Sequence, residues 1–243
     1  MALYIIGLGL GNEKDITVNG LEAVKKCSSI YLENYTSRLQ CSIEKLERFY
    51  GKKIILADRE VVEKNAESTI LKDAEEKDTA FLVIGDPLSA TTHIDLYLRA
   101  KEKGIEIKII NNASVLTAVG ITGLELYKFG RTVSIPFDKS AKSLYDFYKN
   151  NKSIGLHTLF LLDLSPEENK FMSIKEAVER LISLGLDKET LCICCAALGS
   201  EKQQIKSGKA KDIINYKFTE FPQCIIIPEN LHFIEHEMIE KYK

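Results

Sequence analysis

Three short stretches carry residue types suited to holding a small polar molecule. The first, Gly7-Leu8-Gly9-Leu10-Gly11, runs on into Asn12-Glu13-Lys14-Asp15-Ile16-Thr17. Glycines belong where a ligand or a second backbone comes close, because a Cβ would intrude. The second, Ile84-Gly85-Asp86-Pro87-Leu88-Ser89-Ala90-Thr91-Thr92-His93, combines a free turn at Gly85 with a fixed φ at Pro87. Asp86 could pair with a cation or a hydroxyl, or close an Asx turn on its own backbone, and Thr91 or Thr92 is expected to cap the helix that follows. The third, Asn111-Asn112-Ala113-Ser114-Val115, offers Ser114 as a helix cap beside backbone N–H groups able to hold a carboxylate or a ribose.

Other chemistries stay open on these residues alone. A dinucleotide fingerprint wants a third glycine at position 12, where Asn12 stands, but Glu33 lies about where the ribose-binding acid would fall, so an NAD-dependent oxidoreductase is one reading. A binding module that keeps the site without the chemistry is another. His232-Phe233-Ile234-Glu235-His236 matches the His-x-x-Glu-His pattern of a zinc peptidase, with both histidines on one helical face. The seven residues after His236 leave no place for a remote third ligand, so the expectation is an amphipathic terminal helix and no metal. Cys192-Ile193-Cys194-Cys195 sits in an apolar run that reads as a strand, where neighbouring sulfurs point to opposite faces. With no Cys-x-x-Cys spacing, the six cysteines are expected as reduced thiols.

The elements that must position these stretches follow from periodicity. Apolar runs at Leu3–Leu8, Ile30–Leu32, Ile54–Leu56, Ala80–Ile84 and Ile105–Ile110 alternate with helix-period segments at Val18–Cys27, Ile43–Tyr50, Glu67–Glu76, Ile94–Lys103 and Val115–Ile121. Such alternation predicts an α/β domain with a mostly parallel sheet, and it sets all three stretches at the carboxyl ends of strands, where open α/β sheets bind ligands. A second series, with strands at Thr158–Leu162, Leu191–Ala196 and Cys224–Ile227 and helices at Ser143–Lys149, Ile174–Ser183 and Phe233–Lys241, predicts a mixed sheet. Polar, hairpin-like sequence at Glu201–Lys209 interrupts it. The expected domains are 1–125 and 126–243.

Composition narrows the partners. The chain has 243 residues, 45% hydrophobic and 28% charged, enough for real cores and unlike a disordered chain. Its 33 basic and 35 acidic residues give a formal charge of -2 without long runs of either sign, so no nucleic-acid footprint is expected. No apolar stretch approaches the roughly 20 residues that cross a bilayer. The apolar N-terminus has no preceding positive charge, so a soluble, cytosolic protein is expected.

Taken together, Leu3-Tyr4-Ile5-Ile6-Gly7-Leu8-Gly9-Leu10, Asp15-Ile16-Thr17, Glu33-Asn34-Tyr35-Thr36-Ser37, Ala57-Asp58-Arg59-Glu60, Gly85 through His93 and Asn112-Ala113-Ser114 resemble the diphthine synthases. Tyr127-Lys128-Phe129-Gly130, His157 through Asp163 and Leu231-His232 extend the likeness into the second half. That family belongs to the tetrapyrrole-methylase-like class. The resemblance implies two α/β domains, a homodimer, and S-adenosyl-L-methionine bound in the cleft between the domains and released as S-adenosyl-L-homocysteine. It implies methylation of the 3-amino-3-carboxypropyl-histidine of elongation factor 2, to diphthine or its methyl ester; a related methylase with another substrate is the alternative. Carried over by motif, the cofactor contacts are Leu10, Asp86, Ser89, Ser114 and Val115, then Leu162, Ser207 and His232; no general base is identified. The chain departs from the family in a compressed, tryptophan-free segment at Ser134–Ser143 and in the absence of an arginine before Ala197-Leu198-Gly199.

Overall fold

The computed structural model describes every residue from Met1 to Lys243 and divides into two compact units, Met1–Leu116 and Thr117–Lys243. Residues 117–125 belong with the second unit. Tyr242 Oη donates to the Ile121 carbonyl, and the Glu125 N–H donates to Glu235.

In the first unit, β1 (Ala2–Gly7), β2 (Ser29–Glu33), β3 (Ile55–Ala57), β4 (Thr79–Val83) and β5 (Glu106–Ile110) form one parallel sheet in the order β3-β2-β4-β1-β5. Alternate residues of each central strand enter different cores, because side chains on a strand point to opposite faces. Tyr4, Ile6, Ala80 and Leu82 meet α1 (Val18–Lys26) and α2 (Ile43–Tyr50) on one side. Leu3, Ile5, Phe81 and Val83 meet α3 (Arg59–Glu63), α4 (Ile70–Glu76) and α5 (Ile94–Glu102) on the other. The helix starts are local sequence effects: Thr17, Ser42 and Asp58 each accept a hydrogen bond from the third backbone N–H onward. A short α6 (Val115–Ala118) follows β5.

Two details differ from the sequence reading. Arg59–Glu63 is helical, too short to show a period but capped by Asp58. The residue before α5 is His93, which makes no side-chain cap bond; the Thr91 hydroxyl lies 2.8 Å from His93 Nδ1 instead of capping the helix.

In the second unit, β6 (Val133–Ile135), β7 (Thr158–Leu162), β10 (Leu191–Ala196), β11 (Gln204–Lys209) and β12 (Gln223–Ile227) form a sheet in the order β11-β10-β12-β7-β6. Only β6 and β7 are parallel, so the sheet is mixed as expected. Between these strands lie α7 (Ser143–Ser153), a ribbon of β8 (Leu164–Ser165) and β9 (Lys170–Phe171), α8 (Ile174–Ser183) and α9 (Ala210–Ile213), with α10 (Phe233–Glu240) last. Phe160, Leu162, Cys192, Cys194, Ile225 and Ile227 line the face covered by α7 and α8. Cys195 and Cys224, opposite each other in the β10–β12 pairing, are buried on the other face. No helix is long and apolar enough to cross a membrane.

The compressed segment after β6 is held from α8. The Arg180 guanidinium donates to the carbonyls of Pro136, Asp138 and Ala141, while Asp163 accepts the Phe137 N–H at 2.8 Å. An arginine fork suits several acceptors at once.

Phe81 and Phe160 are both fully buried, one in each unit. Replacing either by alanine removes a ring from a packed site, so Phe81→Ala and Phe160→Ala should each lower unfolding free energy by about 3–5 kcal/mol, measured by urea denaturation.

Candidate functional site

The carboxyl ends of β1, β4 and β5 lie side by side, and their turns are bonded to one another. Gly9 and Gly85 form an isolated bridge, with Gly85 N–H donating to the Gly9 carbonyl at 2.8 Å and Gly9 N–H returning the bond at 3.2 Å. The approach leaves no room for a side chain at Gly7. A Cβ there would stand 2.6 Å from the Gly85 carbonyl oxygen, 2.8 Å from Asn112 Cβ and 2.9 Å from Pro87 Cδ.

Asp86 joins two of the turns. Its Oδ1 accepts from Leu88 N–H and Ser89 Oγ, both at 3.0 Å, and its Oδ2 accepts from Asn111 Nδ2 at 3.0 Å and Asn112 N–H at 3.1 Å. The Leu88 contact is the Asx turn foreseen for this loop. Burial alone would raise the Asp86 pKa, but these four donors outweigh it and hold the carboxyl below its ordinary value. Asn112, to which the sequence reading gave no role, ties in the third turn through Nδ2, which donates to the carbonyls of Gly7 at 2.9 Å and Asp15 at 3.0 Å. Asp15 in turn accepts the Gly11 N–H at 2.7 Å. The only hint of this in the sequence was the Asp-Ile-Thr motif.

On this frame the structure collects five of the expected contact residues. Leu10, Ser89 and Val115 are half-buried on the three turns, Asp86 lies among them, and buried Ser114 starts α6 by accepting the Leu116 N–H at 3.1 Å. The remaining three lie in the second unit. Leu162 ends β7 with its side chain in the core, and Ser207 lies in β11 with its hydroxyl donating to the Ile239 carbonyl at 2.9 Å. β11 and β7 are three strand spacings apart in the sheet, about 14 Å, so the unit does not bring these two together. His232 is exposed immediately before α10. It therefore does not share a helical face with His236, which is exposed and pairs with Glu240 at 3.8 Å.

A buried polar group backs the rim in the first unit. Glu33, at the end of β2, accepts from the hydroxyl and N–H of Thr36, and His93 Nε2 lies 3.9 Å from its carboxylate and 3.4 Å from Tyr35 Oη. Burial pushes Glu33 up to about 7 against the lowering effect of Thr36 and Tyr35 donors. Burial pulls His93 down to about 4, partly offset by a bond to Pro87. The raised Glu33 makes folding less favourable as pH rises from 4.5 to about 7, and the depressed His93 makes it less favourable as pH falls from 6.5 to about 4. Over the shared range the folded pair and the unfolded pair each hold one proton, so the two slopes cancel.

Removing one partner should expose the slope of the other. Relative to wild type, Glu33→Gln should lose on the order of 3 kcal/mol of stability between pH 6.5 and 4, whereas His93→Gln should lose a similar amount as pH rises from 4.5 to 7. Denaturant melts across this range would show parallel curves for variants and wild type if the two groups titrated independently of burial.

Residues 2–214 match the family model of the Tetrapyrrole (Corrin/Porphyrin) Methylases. The diphthine methyl ester synthase of Dictyostelium discoideum is 44% identical, with 100% of this chain and 98% of that protein covered, and the Homo sapiens protein of the same name is 43% identical over 99% and 94%. A crystal structure of diphthine synthase superposes with a TM-score of 0.94 at 35% identity, covering 100% of this chain and 96% of the other. Joined strand-end turns, a parallel sheet followed by a mixed one, and full-length identity above 40% lead to one assignment: the chain belongs to the tetrapyrrole methylases and, among them, to the diphthine synthases.

Proposed function

We propose that this chain transfers methyl groups from S-adenosyl-L-methionine to the 3-amino-3-carboxypropyl group on the modified histidine of elongation factor 2, ending in the methyl ester of diphthine. The observation that carries this reading is the convergence of three strand-end turns on Gly7, within a family of methylases. The residue types on those turns fit the donor: Leu10 and Val115 are apolar surfaces for a ring or thioether chain, and Ser89 and Ser114 are short hydroxyls for its polar tail. The family resemblance extends the contact set to Leu162, Ser207 and His232, and it carries with it a homodimer working in the cytosol.

When bound, the donor supplies a methyl group already activated on a sulfonium, so displacement needs alignment and exclusion of water more than a protein nucleophile. The chain's part is positional. Asp86 and Asn112 fix the turns that carry Ser89 and Ser114, and the methyl must meet its acceptor at about 3 Å. A carboxylate acceptor arrives without a proton and needs no base, whereas an ammonium must lose one first. An ester-forming step is therefore compatible with a site in which no general base has been identified.

Calorimetry should show S-adenosyl-L-homocysteine binding and no heat with NAD; the reverse would restore the oxidoreductase reading. Labelled donor should enter unmethylated elongation factor 2 intermediate, with mass spectrometry locating methyl groups on both amine and carboxylate. Asp86→Asn turns one acceptor into a donor facing other donors, which should cost about 1–3 kcal/mol of stability. The same variant should weaken S-adenosyl-L-homocysteine binding at least tenfold, and unchanged affinity would show that the joined turns are not the donor site.

A further inference from the structure

The His-x-x-Glu-His match at the start of α10 resolves into something other than a metal site. Glu235 is fully buried, and its carboxylate receives four donors. Oε1 accepts from the Glu125 N–H at 2.9 Å and from His157 Nε2 at 3.0 Å, while Oε2 accepts from the His232 N–H at 2.7 Å and from the Lys128 ammonium. The His157 tautomer follows from its other nitrogen. Nδ1 accepts the Glu229 N–H at 3.0 Å, so the ring proton sits on Nε2 and is donated to Glu235. Lys128 also donates to the Asn230 carbonyl at 2.8 Å.

Each of the three side chains thus grips one backbone group of the same turn: His157 holds Glu229, Lys128 holds Asn230, and Glu235 holds His232. That turn passes through Asn230 at φ 43°, a left-handed conformation that asparagine tolerates better than most side chains. It ends in the exposed ring of His232. A buried capping carboxylate needs partners for its charge, and here those partners also reach the turn's own backbone, Lys128 at the Asn230 carbonyl and His157 at the Glu229 N–H. We propose that Lys128, His157 and Glu235 are positioning residues that set the Glu229–His232 turn, and so the His232 ring, for binding of the methyl donor. This inference rests on the proposed function, and it adds residues that touch no donor and act through His232.

The test is a double-mutant cycle on binding, read by calorimetry with S-adenosyl-L-homocysteine on the full chain. Lys128→Met keeps the alkyl stem and loses the ammonium. It should weaken binding about five- to thirtyfold in the wild-type background and less than twofold in a His232→Ala background, because the two changes remove one coupled contribution. His157→Gln, which keeps one donor but moves it, should behave alike should Lys128→Met fail to fold. Lys128→Arg should restore most of the affinity. Equal losses in both backgrounds, or a lowered melting temperature with unchanged affinity, would overturn the inference while leaving the methyltransferase reading intact. No binding by the wild-type chain would instead overturn the function on which it depends, and unchanged affinity in His232→Ala alone would remove His232 from the contact set and the inference with it.

Discussion

Four donors from two turns meet on the Asp86 carboxylate, and the geometry of the candidate site depends on that meeting. An ionised carboxylate has about four acceptor positions, so its capacity is filled. Beyond the last ladder bond of a parallel sheet, nothing in the strands themselves fixes one turn against its neighbour. Here β1 lies between β4 and β5, and a bond from the β4 turn to the β5 turn closes over it. Gly7 must be glycine for that reason. The constraint is steric on one side and electrostatic on the other, and Ser89, Ser114 and Val115 inherit fixed places from it.

The central strands were legible because they are continuous apolar runs, β1, β4 and β12 buried along their whole length, and the helices because their apolar residues recur with a helical period. Several short elements were not. β6 is three residues long, β8 and β9 are two each, and α3 has five, all below the length at which a period can be recognised. At the site, glycine and proline spacing located the turns, but it could not say which donors would reach Asp86. Asn111 and Asn112 are 25 and 26 residues away in sequence, and only the strand order brings them to it. A four-residue spacing looks the same whether its first member is in the helix or just before it, so the sequence puts His232 on a helical face although it precedes α10.

Each unit buries a carboxylate beside a histidine, and the two pairs take opposite charge states. Glu33 is met by neutral donors and has no cation in hydrogen-bond reach, so burial dominates and its carboxyl rises to about 7. Burial would raise Glu235 as well, but the Lys128 ammonium, two backbone N–H groups and His157 outweigh it and hold it at about 2. The ammonium and the larger set of donors make the difference. It follows that the two pairs suit different work. The first makes folding insensitive to pH between 4.5 and 6.5, because the proton that Glu33 gains on burial balances the one that His93 loses. The second stays ionised across the neutral range and can hold N–H groups in place without regard to pH. A fixed anion suits this turn, since protonation of Glu235 would weaken its hold on the His232 N–H and on the Lys128 ammonium that also binds the Asn230 carbonyl. In the second unit the ammonium comes from the Tyr127-Lys128-Phe129-Gly130 motif, whose purpose the sequence alone did not disclose.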